Sequence, residues 1–152
     1  MRDLLLRLES FVASRSPRAR WIAVLAWYCV IFTLSQMPGT DSGSTEDLLS
    51  LLGLRDLNML MRRLAHMFVF AVEGVLVYAA IQRNFRFSLR NYCLAVATAA
   101  ALGLTDELHQ YFVPLRSCRI ADAIVDTFGG AVGIAIVLGV YAKWARSREG
   151  PG

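Results

Sequence analysis

The sequence predicts an all-α membrane protein: a bundle of four transmembrane helices with short interfacial helices and both termini in the cytoplasm. Three observations predict it. Hydrophobic residues make up 56% of the 152 positions and charged residues 18%, with a mean hydropathy of +0.46, which is too oily for a soluble domain of this size. The charges are gathered between apolar blocks of spanning length. The basic residues sit at the ends of those blocks, as membrane topology requires. A net charge of +4 and a pI near 9.3 therefore reflect topology, and no nucleic-acid partner is expected. The length fits one domain.

Residues 1–18 read as a cytoplasmic amphipathic segment. Leu4, Leu5, Leu6, Leu8, Phe11 and Val12 lie among Arg2, Arg7, Arg15, Asp3 and Glu9, which suits a short helix on the membrane surface or a frayed terminus. Pro17 ends it, and no cleavable signal peptide is expected. The membrane domain covers 19–145. Its first span runs over about 19–36, with Trp21, Trp27 and Tyr28 as interfacial anchors, and Pro38-Gly39 stops it. Between 37 and 60, Ser44 or Thr45 can cap a short helix carrying Glu46 and Asp47 in its first turn. Too short to cross, it reads as an interfacial helix or as a lid over a site.

The second span covers about 61–82. Arg62 and Arg63 open it, His66 lies one turn in, and Glu73 shares a helix face with His66. A carboxylate at that depth should face the bundle interior and find a partner. Arg83, Arg86 and Arg90 make a basic connection. The third span, about 91–112, is rich in small residues, chiefly alanine, which lets helix backbones approach closely in lipid. Its polar tail begins at Thr105, and Pro114 ends it. The fourth span, about 120–143, places Asp122, Asp126, Gly129 and Gly133 on one face. That face should pack tightly on a neighbouring helix. Residues 146–152 form a basic tail. Cys29, Cys93 and Cys118 show no disulfide or metal-binding spacing.

Orientation follows from alternate loops. Arg2, Arg7, Arg15, Arg18 and Arg20, with Arg83, Arg86, Arg90, Lys143, Arg146 and Arg148, fall on one side. Arg55, Arg62, Arg63, Arg116 and Arg119 fall on the other. The richer side is cytoplasmic, so the chain is expected as a multi-pass protein of the inner (plasma) membrane. His66, Asp106, Glu107, His109, Gln110, Arg116, Arg119, Asp122 and Asp126 then converge on the outer half.

These nine residues are the candidate ligand-binding site. Asp106, His109 and Gln110 form one polar face, Asp122 and Asp126 a second, and Glu107 points away from His109. Arg116 and Arg119 suit a phosphate, which the planar guanidinium fork binds well. An anionic membrane lipid or lipid-linked envelope component is the expected partner. A metal site drawing on the two histidines and the acids is a weaker reading, because no HExxH or paired-cysteine spacing is present; no cofactor is expected. Acid–base catalysis on such a lipid and a purely structural ion-pair network both stay open. Transport is less favoured, since four spans are few unless the chain forms a homo-oligomer.

The motifs Arg63-Leu-Ala-His66, Asp106-Glu107-Leu108-His109-Gln110, Phe112-Val113-Pro114-x-Arg116 and Asp122-x-x-x-Asp126-Thr127-x-Gly129 resemble the VanZ-like family over roughly residues 20–142. That family of small membrane proteins is named for a member linked to teicoplanin resistance. The resemblance implies a compact helical membrane domain whose polar signature falls here on His66, Glu107, Gln110, Arg116 and Asp122. This chain departs from the pattern in four places. Val69 and Phe70 stand where the family usually has Glu-Tyr, with Glu73 one turn further along the same face. Leu115 replaces a frequent glycine, and Asp126 replaces a frequent asparagine, adding charge to the site.

Overall fold

The computed structural model describes residues 14–36, 55–82, 84–113 and 119–149, with the single positions 7, 10 and 12. Four helices, and no strand, occur among them: α1 (Pro17–Ser35), α2 (Arg55–Ile81), α3 (Leu89–Gln110) and α4 (Ile120–Glu149). The expected interfacial helix or lid between 37 and 54 lies outside the described residues, as do Arg116 and most of the N-terminal segment.

Ser16 begins α1. Its hydroxyl accepts from the Ala19 amide at 3.2 Å, and Pro17 follows at the first helical position, where a missing N–H costs nothing. The proline expected to end one segment therefore also starts the next. Ser88 plays the same capping part for α3. α2 runs from Arg55, ahead of its expected opening at the Arg62-Arg63 pair. No glycine or proline interrupts 55–62, so nothing in the backbone stops the helix there. Its 27 residues span about 40 Å, beyond the roughly 30 Å of bilayer hydrocarbon. α4 likewise runs past the expected end near 143 to Glu149. Lys143, Trp144, Ala145 and Arg146 sustain a helix, and the first breakers are Gly150 and Pro151.

Successive helices run in opposite directions. At one end Arg20 of α1 reaches Ala79 near the end of α2, and Phe85 meets Tyr141 of α4. At the other end Ser35 of α1 meets Asp106 of α3, and His66 of α2 meets Asp126 of α4. α4 packs most heavily on α2 and then on α3, while α1 leans on α2. The apolar core joins Val24, Val77, Tyr78, Ala80, Ala95, Ile134 and Leu138.

The glycine face of α4 packs on α2. A Cβ at Gly129 would fall on the Met67 carbonyl, and one at Gly133 on the Ala71 carbonyl. One at Gly74 would meet the Gly130 carbonyl oxygen at 2.6 Å. Without side chains between them, the two backbones touch. The outer surface is apolar: Ile22, Phe68, Leu104, Leu108, Phe112, Ile124, Phe128 and Ile136 are each more than half exposed. A surface of that kind is suited to lipid rather than water. By length and composition, α1, the Arg63–Ile81 part of α2 and the Ile120–Ser147 part of α4 can cross a membrane. α3 is not among them; Asn91 and Tyr92 at its head and the polar run from Thr105 at its tail dilute its hydropathy.

Candidate functional site

The contact of α2 with α4 positions the first pair of polar groups. Asp126 lies three residues before Gly129, and His66 lies one before Met67. The glycine that brings α4 onto α2 at Met67 therefore also sets the carboxylate beside the imidazole. Asp126 Oδ1 is 3.4 Å from His66 Nδ1, with the carboxylate fully buried and the imidazole partly exposed. Neither oxygen of Asp126 meets full hydrogen-bond geometry with a donor among the described residues. α3 makes room for this side chain at Gly103, where a Cβ would stand 3.3 Å from Asp126 Cβ.

One turn along α3, Asp106 is also fully buried. Its Oδ2 accepts from Ser35 Oγ at 2.9 Å and from Gln110 Nε2 at 2.8 Å, while Oδ1 has no hydrogen-bond partner among the described residues. Asp106 and Gln110 are thus a single i, i+4 unit, tied to the end of α1. One ligand atom from each of His66, Asp106 and Asp126 lies within 4.8 Å of the others. At that separation two ionised carboxylates repel by about 3 kcal/mol at an effective dielectric constant of ~20. No Lys or Arg among the described residues comes within ion-pair distance of either.

Glu107 faces another way. It is buried, and its Oε2 accepts from the Arg119 backbone N–H at 2.9 Å. Arg119 immediately precedes α4, so the carboxylate sits at the positive end of that helix and satisfies one of its orphan donors. Asp122 lies on the first turn of α4, 3.9 Å from Arg63 Nε, with the Arg63 side chain exposed and that of Asp122 partly buried. Arg119 is exposed beside it.

The expected residues therefore divide. His66, Asp106, Asp126 and Gln110 come together in one buried cluster. Glu107 is adjacent on α3 but engages the start of α4, and Asp122 and Arg119 lie on the rim. His109 does not join the cluster; its ring packs on Phe32 of α1 at a centroid distance of 4.0 Å. Arg116 is outside the described residues. Glu73 is fully buried, as its depth required, but neither of its oxygens has a hydrogen-bond partner among the described residues. Two participants were not singled out from sequence. Ser35 is hidden in sequence within an apolar span, and the crowding of Thr33, Ser35 and Gln36 at its end is the one local signal of a polar contact. Tyr28, read as an interfacial anchor, lies 2.8 Å from the Thr105 hydroxyl and ties α1 to the head of the polar stretch.

The VanZ/LLP1 family matches residues 20–141, a stretch that holds α2, α3 and most of α1 and α4. The chain belongs to that family. No curated protein and no solved structure matches it significantly.

Proposed function

We propose that this member of the VanZ-like family binds an anionic lipid or a lipid-linked component of the cell envelope at the His66–Asp126 end of its bundle. The observation that carries the reading is the arrangement of charge there. Buried carboxylates stand behind a rim bearing Arg63 and Arg119, and the surrounding surface, with Leu104, Leu108, Phe112, Ile120 and Ile124, is exposed and apolar. Guanidinium groups at the rim suit phosphate oxygens. The apolar surround suits acyl or prenyl tails. In this reading all four helices cross a bacterial inner membrane, α3 being carried by its neighbours. Both termini are cytoplasmic, following the excess of basic residues on that side, and the site faces outward.

Native mass spectrometry in mild detergent tests it, with wild type beside Arg63→Ala and Glu107→Gln. A phospholipid or polyprenyl-phosphate mass that co-purifies with wild type and is lost from folded variants is the expected result. The same spectra read any homo-oligomer. Bare wild-type protein, with variants that dissociate or unfold, would assign the cluster to helix packing alone. A second reading, an enzyme acting on such a lipid, is favoured by His66 Nδ1 at 3.4 Å from a buried carboxylate, a pairing suited to proton transfer. Phosphate release from lipid-linked phosphates, lost in His66→Gln, tests it.

A further inference from the structure

We propose that His66, Asp106 and Asp126 form a binding site for one divalent transition-metal cation, of the zinc type. The site deepens the ligand-site reading above and rests on it only for what fills the remaining coordination position. Four observations converge on a cation. Three side chains from three different helices bring one nitrogen and two oxygens within 4.8 Å of one another. Both carboxylates are fully buried. Among the described residues Asp106 Oδ1 has no hydrogen-bond partner, and Asp126 meets only His66 Nδ1, at 3.4 Å and outside hydrogen-bond geometry. No Lys or Arg among the described residues neutralises them.

Buried carboxylates are ordinarily hydrogen-bonded, paired or bound to metal. A dication matches the two negative charges. The donor set decides its class: an imidazole with two carboxylates suits Zn²⁺ or Mn²⁺, whereas Mg²⁺ and Ca²⁺ favour oxygen ligands throughout. The groups behind the ligands fit the same role. Ser35 and Gln110 both donate to Asp106 Oδ2, which orients that carboxylate, as outer-shell partners of metal ligands do. Gly103 keeps α3 clear of Asp126. Three protein ligands leave a tetrahedral ion one open position, which a phosphate oxygen of the proposed lipid headgroup would take.

Isothermal titration of detergent-solubilised, metal-stripped full-length protein with ZnCl₂ tests the site, alongside elemental analysis of the protein as purified. One Zn²⁺ per chain is expected. Affinity should fall by more than about a hundredfold in His66→Gln and Asp126→Asn, since losing a ligand outweighs losing an outer-shell partner; Ser35→Ala should weaken binding by about tenfold. A variant with Cys29, Cys93 and Cys118 all changed to Ser should bind as wild type does. Helical circular dichroism selects the folded variants; if Asp126→Asn fails to fold, His66→Gln and Ser35→Ala carry the test. Absence of saturable one-to-one binding would overturn the site, as would unchanged affinity in folded His66→Gln or loss of binding with the cysteines. Lipid masses read on the same samples separate the two proposals. Zinc bound without lipid keeps the metal site and removes the headgroup, while lipid bound without zinc removes the metal site.

Discussion

Replacing Gly74 by alanine should destabilise the bundle, whereas the same change at Gly139 should not. The Gly74 Cβ would stand 2.6 Å from the Gly130 carbonyl oxygen, 2.8 Å from its Cα and 2.9 Å from its carbonyl carbon. Ordinary contact begins at 3.4 Å, so α2 and α4 must separate by about 0.8 Å. The obstructing atoms are main chain, and no rotamer change can relieve them. Overpacking of this kind costs about 1–3 kcal/mol, and the helix-propensity gain of alanine over glycine returns at most about 1 kcal/mol. A net loss of about 1–2 kcal/mol is expected. At Gly139 no atom lies within 4 Å of the added Cβ, so only the propensity term acts and the change should be neutral or mildly stabilising. Unfolding in mixed micelles of mild and denaturing detergent, followed by helical circular dichroism, measures both. Equal effects at the two positions, or a Gly74→Ala protein as stable as wild type, would refute the claim that backbone contact holds α2 against α4.

Three further outcomes are expected. Arg20→Met should cost about 1.5–3 kcal/mol in the same assay, because the guanidinium donates to the Ala79 carbonyl at 2.7 Å close to the α2 C-terminus, and bonds from charged donors fall in that range; Arg20→Lys should recover part of it. Tyr28→Phe removes the hydroxyl shared with Thr105 at 2.8 Å and with the Leu102 carbonyl at 3.3 Å, and should cost about 0.5–1.5 kcal/mol, while Tyr28→Ala costs clearly more through lost packing. Zinc affinity at the His66 site should fall as pH is lowered, because an imidazole and carboxylates bind metal only when deprotonated. Titrations repeated across the acid range check this, and a flat profile would count against those ligands.

The sequence by itself determined the local and periodic features. Helices over the apolar blocks near 19–36, 61–82 and 120–143 follow from composition, because backbone groups in lipid must bond within their own segment. That one face of α4 holds Asp122, Asp126, Gly129 and Gly133 follows from helical spacing alone, and so does its suitability for close packing. Which neighbour receives that face is set by the tertiary structure. Asp122 and Asp126 share a face in sequence, yet Asp122 reaches exposed Arg63 and Asp126 reaches His66, because the helices cross where the glycines meet Met67 and Ala71. Asp106 and His109 were read together, yet the rotation of α3 turns one into the core and the other onto Phe32. Ser35 and Asp106 are 71 residues apart, and no local pattern links them. Helix propensity and hydropathy are properties of neighbouring residues and can be read from the chain. The rotation and crossing of each helix are set by the packing of all of them at once, and that packing selects which buried carboxylates share a space.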